Sequence, residues 1–195
     1  MNKNRIEAFS DGVFAIVITL LILDIRIPEI EYQHLPDALI AILPRIAAYV
    51  MTFTIIGVYW VGHHQSFRLV AKTDGIFLWL NTLFLLFISF LPFPTSLLGR
   101  YPMQSLPILL YGTNLLAANA SAFIMLWYLK RHPILSAHTN VQEHISRHYP
   151  LYITVNVSYL IAILMGFIFP IVSYFIYFFI LILLIFFYGK YRIPQ

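Results

Sequence analysis

The chain contains no cysteine, which removes disulfides, thiol catalysis and thiolate metal sites from consideration. Charge is nearly as scarce. Only 10% of the 195 residues are charged, against roughly 25% in an ordinary soluble domain. Also missing are a glycine-rich phosphate loop and an HExxH zinc motif. No loop is long enough to make a soluble domain, and no inverted repeat stands out. What is abundant is apolar surface. Hydrophobic residues make up 61% of the chain and the mean hydropathy is +0.82. A membrane barrel would alternate apolar and polar residues over segments of about 10, and "YFIYFFILILLIFFY" does not alternate. The composition therefore predicts an all-α integral membrane protein.

A helix crosses the hydrocarbon core with about 20 apolar residues. Six stretches qualify, at about 8–25, 45–62, 75–91, 106–129, 151–169 and 171–188, in one domain over 1–195. The second lies within Leu39 to Gly62, with Pro44 near its start. Pro28, Pro36, Pro92, Pro94, Pro150 and Pro170 fall at expected ends, where a missing N–H costs least. "PDALIAILP" before Arg45 reads as a short separate helix at the membrane interface. The N-terminus does not read as a signal peptide, because Asp11 interrupts it early and no small-x-small site follows.

The formal charge of +4 sits in residues that flank apolar runs. That pattern orients a protein in the bilayer rather than recruiting nucleic acid. With the N-terminus in the cytoplasm, Lys3, Arg5, Arg68, Lys72, Lys130, Arg131, Arg147, Lys190 and Arg192 lie inside, and only Arg26, Arg45 and Arg100 lie outside. Both termini are then cytoplasmic, in a multi-pass protein of the cell membrane.

The first span, "RIEAFSDGVFAIVITLLILDI", opens with the most polar entry of any. At roughly 100° per residue, Ile16, Leu20 and Leu23 share a face, with Thr19 beside them and Phe9 and Gly12 extending the stripe. Ser10 and Asp11 point about 120–140° away from Ile16. The stripe reads either as lipid contact and core packing or as a functional face. Ser10–Asp11 reads either as an N-terminal cap or, because "RIEAF" is itself a helical lead-in, as a polar pair inside the helix. A second polar cluster, "YWVGHHQSFR", ends the second span. Trp60, His63 and His64 reach the depth of Asp11 and offer ring N–H donors to a carboxylate, although adjacent histidines face different sides and at most one meets it. Asn81 on the third span is another possible partner.

These residues carry a resemblance. The first span resembles the first helix of the prokaryotic transmembrane protein 175 family, relatives of the lysosomal potassium channel of animals. The family signature Arg-x-x-x-Phe-Ser-Asp is met by Arg5, Phe9, Ser10 and Asp11 without departure, and "GVYWVGHHQSF" is similar to the family's second helix. The resemblance implies a homotetrameric, potassium-favouring cation channel with one six-helix repeat per subunit and the first helices lining a central pore. It implies a pore without a carbonyl filter, and indeed no "TVGYG" occurs. The constriction would be rings of apolar side chains, with Ile16, five residues after the signature Asp, as the key position and Leu20 and Leu23 on the next turns. Some members place a pore threonine where Thr19 stands. Arg5, Phe9, Ser10, Asp11, Trp60, His63, His64 and Asn81 would pack the helices together. The implied partners are other copies of the chain, the bilayer and monovalent cations, with K+ permeating and no cofactor or metal.

Other readings stay in play. A secondary transporter would show helices broken by Gly or Pro at mid-membrane, and the prolines mostly fall at expected span ends. An intramembrane hydrolase would need a nucleophile elbow or a metal triad, and neither occurs. A partner-binding membrane protein would show no ion flux. His132, His138, His144 and His148 lie in or beside one inner loop and read as interfacial polar residues. Asn156 and Ser158 offer hydrogen bonds between helices. Asp24, Glu29, Glu31 and Asp37 make the first outer loop mildly acidic.

Overall fold

Apolar runs with polar or proline-bearing corners fold into helices throughout. The computed structural model describes residues 3–27, 29–137 and 141–190, without the side chains of 141–144, 147 and 190. Pro28, His138 and Arg192, and the side chains of His144, Arg147 and Lys190, lie outside the described residues. The helices are α1 (Lys3–Leu20, prolonged by a 3-10 turn over Leu21–Asp24), α2 (Leu35–Ala41), α3 (Leu43–Arg68), α4 (Gly75–Phe90), α5 (Pro92–Arg100), α6 (Ser105–Arg131), α7 (Val141–Ile168) and α8 (Pro170–Lys190). Six stretches are long and apolar enough to cross a membrane, α4 and α5 together making one of them. The short helix before Arg45 is present as α2.

The helices run further than the apolar runs suggest, and three prolines sit differently. α3 continues to Arg68, past Gly62. Pro92 and Pro94 lie inside the third span, Gly75–Arg100. Pro92 opens α5, and Leu91 keeps helical angles before it, φ −52° and ψ −38°. The Ile88 carbonyl, which Pro92 cannot donate to, accepts from Leu91 N–H at 3.2 Å, and in the next turn Thr95 donates from both its N–H and its hydroxyl to the Leu91 carbonyl, at 3.1 and 2.7 Å. Pro150 likewise lies inside α7, where the helix passes from a polar lead-in to its apolar part. Prolines inside spans weaken the composition argument against a transporter. The Ile88 carbonyl that Pro92 leaves free is taken up by Leu91 N–H, which argues against a substrate site at that carbonyl.

α6 is the central pillar, packed against α4, α5, α7 and α8, with 56% of its apolar window buried against 28% for the first, fifth and sixth spans. Inside the bundle, every polar side chain needs a partner, since an unsatisfied group in hydrocarbon costs several kcal/mol. The Thr52 hydroxyl meets those of Thr95 and Tyr111, each at 3.0 Å, and Tyr59 meets Tyr159 at 3.3 Å. Gly112 is required by such packing. A Cβ there would collide with the Tyr177 hydroxyl and with Ile163.

One end of the bundle carries Lys3, Arg5, Arg68, Lys72, Lys130 and Arg131. There the α3–α4 turn pairs with the segment after α6, Ala71 N–H donating to Leu135 O at 2.7 Å and Ala137 N–H to Leu69 O at 2.8 Å. Asp74 latches the two. One oxygen caps α4 by accepting from Phe77 N–H at 2.8 Å, and the other accepts the Tyr128 hydroxyl of α6 at 2.7 Å. Desolvation pushes this carboxyl up, but the Phe77 N–H, the Tyr128 hydroxyl and nearby His132 together outweigh it and hold the pKa below its ordinary value of 3.8. A depressed folded pKa means the latch contributes fully above pH 3.8 and is lost as pH falls through the folded value. Asp74→Ala should cost about 0.5–2 kcal/mol, the range of a lost cap. Thermal unfolding of the two proteins at neutral pH should show it, and equal midpoints would refute it.

Candidate functional site

α1 divides its surface unequally. A narrow stripe, Ile6, Ser10, Phe14, Val17 and Leu21, is buried against α3 and α4 at spacings of three and four residues, as one helix face requires. Val13 and Ile18 are half-buried beside it, and the face opposite is exposed. Ile16 is 60% exposed, Leu23 60%, Leu20 47% and Phe9 61%, with Gly12 and Thr19 open beside them. Thr19 turns its hydroxyl proton back to the Ile16 carbonyl at 2.8 Å. Its oxygen therefore faces outward as an acceptor, the polarity a cation seeks.

Ser10 and Asp11 lie seven and eight residues inside α1, so they do not cap it. They are about 100° apart and have separate fates. Ser10 is fully buried and donates to Ile6 O at 2.9 Å. With its proton committed, its oxygen accepts from Asn81 Nδ2 at 3.2 Å, leaving Asn81 Oδ1 to accept from His63 Nε2–H at 2.8 Å. This thread joins α1, α4 and α3. The His63 ring is enclosed by Phe14, Phe67 and Phe84, with centroids at 5.7, 4.4 and 5.7 Å. Asp11 is exposed, and its partner is Trp60, whose indole N–H donates to Oδ1 at 2.9 Å. His64 stacks on Trp60, centroids 6.1 Å apart. Neither histidine hydrogen-bonds Asp11, and Asn81 serves Ser10 instead. Arg5 and Phe9 stand exposed rather than packed between helices. At the other end of α1, Asp24 pairs with Arg100 of α5 at 2.7 Å, a contact not singled out from the sequence. Its only sequence signal is one acidic and one basic residue at opposite-numbered span ends that share a membrane face.

Cavities where α3, α6, α7 and α8 meet reach only ≈ 20 and ≈ 10 Å³, room for about one water each. Among the described residues no group of three or more His, Asp or Glu could hold a metal ion.

A family model described as "Endosomal/lysosomal potassium channel TMEM175" matches residues 5–92, which hold all but the first two residues of α1, the thread and the Trp60–Asp11 pair. A potassium channel of Chamaesiphon minutus is 44% identical over 129 residues, 63% of this chain and 63% of that one. A potassium channel of a Chryseobacterium species is 33% identical over 173 residues, 89% of this chain and 87% of that one. The crystal structure of a lysosomal potassium-selective channel TMEM175 homolog from Chamaesiphon minutus superposes with a TM-score of 0.86 at 31% identity, covering 96% of this chain and 98% of that one. The chain belongs to the TMEM175 family.

Proposed function

We propose that the chain is one subunit of a potassium-favouring cation channel, in which four copies set α1 around a shared pore. The observation that supports this most is the division of α1. One stripe fastens it to α3 and α4, while Phe9, Gly12, Ile16, Thr19, Leu20 and Leu23 are left open on the other side. A six-helix unit with water-sized internal cavities needs its conduit between copies, and the potassium-channel names of its relatives agree.

In such a ring Ile16, Leu20 and Leu23 form stacked apolar constrictions, which close by dewetting and open with a small outward shift. Potassium sheds hydration water at lower cost than sodium, so a narrow apolar ring favours it, and the outward Thr19 oxygens replace part of the lost water. Ser10, Asp11, Trp60, His63, His64 and Asn81 act by holding α1 rather than by touching the ion. The basic end faces the cytoplasm of a cell-membrane protein, with both termini inside. The role is transport, with K+ as the permeant ion and no catalytic step.

Purified protein reconstituted in liposomes should pass K+ faster than Na+ without saturating, and native mass spectrometry should find four copies. A folded protein that passes neither ion, or whose flux saturates and couples to protons, would overturn this reading.

A further inference from the structure

Three arginines lie at the end of the bundle where α1 stops and α3 begins, and among the described residues Arg100 alone of the three is in an ion pair. Arg100 takes Asp24. Arg26 donates from Nε to the Leu23 carbonyl at 3.3 Å, and among the described residues neither Arg26 nor Arg45 forms an ion pair, with Glu29, Glu31 and Asp37 all exposed on the same linker. Arg45 is also badly placed for its own helix. It sits in the first turn of α3, where the helix dipole is positive and a cation is disfavoured. Its position is fixed all the same, because Gly99 of α5 lies against it so closely that a Cβ would come within 2.9 Å of the Arg45 Cα.

Arg26 and Arg45 share a pocket of ≈ 430 Å³ whose other walls are Ile27, Ala38, Ala41 and Ile42. That volume falls in the range of about 300–1,000 Å³ typical of ligand sites. The internal cavities are many times smaller. Exposed Leu43 opens the membrane span Leu43–Arg68, and exposed Ile40 precedes it on α2. Two guanidinium groups over an apolar wall at a bilayer boundary match an anion with a hydrocarbon tail. Guanidinium is the side chain best shaped to take phosphate oxygens in pairs.

We propose that this pocket binds the phosphodiester headgroup of an anionic phospholipid, the phosphate between Arg26 and Arg45 and the glycerol and upper acyl chain along Ala38, Ala41 and Ile42. The bound phosphate supplies the close ion pair that the exposed Glu29, Glu31 and Asp37 do not form with Arg26 or Arg45, and offsets the unfavourable position of Arg45. It also bridges the end of α1 to the start of α3. Arg26 already holds the carbonyl of Leu23, so the lipid steadies the last turn of the proposed pore face. The binding site itself does not depend on the pore reading, and its test reads binding alone.

The full chain in detergent, titrated with phosphatidylglycerol or phosphatidylcholine and read by native mass spectrometry, should retain the anionic lipid about tenfold better. The double variant Arg26→Gln/Arg45→Gln, eluting at the wild-type volume, should lose that preference. A photoreactive phosphatidylglycerol should label wild-type protein within residues 35–45, a readout that needs no variant. Equal retention of the two lipids, undiminished preference in the double variant, or labelling elsewhere would overturn the proposal. Displacement of phosphatidylglycerol by millimolar inorganic phosphate would overturn the lipid as occupant and assign the pocket to the free anion.

Discussion

Ile16→Asn should raise cation flux through the reconstituted protein at least tenfold and remove most of its preference for K+ over Na+. Ile16 stands at the centre of the open face of α1, 60% exposed, and takes no part in the stripe that fastens the helix. Its replacement therefore leaves the subunit fold nearly untouched, within the roughly ±0.5 kcal/mol of an ordinary surface change. In the proposed ring the effect is large because it is repeated in every copy. Four apolar side chains exclude water from the constriction, whereas four carboxamides supply donors and acceptors that hold it there. A barrier lowered by about 1.4 kcal/mol gives a tenfold faster passage. Selectivity falls for the same reason, since an ion that keeps its water is no longer sorted by the cost of losing it. Potassium and sodium gradients across liposomes measure both quantities. Unchanged flux with unchanged preference would remove Ile16 from the constriction. A similar rise with Phe179→Asn, on the exposed face of α8, would assign the leak to a loosened bundle instead.

The division of labour within α1 was legible because it depends on angle alone. Spacing puts Ile16, Thr19, Leu20 and Leu23 together and Ser10 far from them; of the two readings open for Ser10–Asp11, a cap or an interior pair, the start of α1 at Lys3 decides for the interior pair. What spacing does not carry is the choice among partners. Asp11, Ser10, Trp60, His63, His64 and Asn81 form many satisfiable sets. The set adopted follows from depth and from the 100° between neighbours, which buries Ser10 and leaves Asp11 at the surface. The prolines were misread for a different reason. A proline signals an end when its freed carbonyl has no partner. Pro92 frees the carbonyl of Ile88, and Leu91 N–H takes it up at 3.2 Å, so the chain stays helical past the expected end. The pairing of the α3–α4 turn with the segment after α6 joins residues some 65 positions apart, and no local pattern announces it.

His63→Ala should be among the most destabilising single changes within the described bundle. The ring fills a space bounded by Phe14, Phe67 and Phe84, and its Nε2–H satisfies Asn81. Truncation leaves both a cavity and an unsatisfied amide oxygen, together about 2–4 kcal/mol. For a chain of this size that lowers the unfolding midpoint by roughly 5–15 °C. His63→Phe separates the two contributions, since the ring volume stays and only the hydrogen bond goes. It should cost about 1–2 kcal/mol. Asn81→Leu should cost at least as much, because Asn81 also donates to Ser10. Combining His63→Phe with Asn81→Leu removes both members of the bond and leaves neither orphaned. The double variant should therefore be more stable than the sum of the single losses predicts, by about 0.5–3 kcal/mol. Strict additivity would mean that His63 and Asn81 do not act as a pair. Coupling would establish the α3–α4 half of the thread that reaches Ser10 on α1.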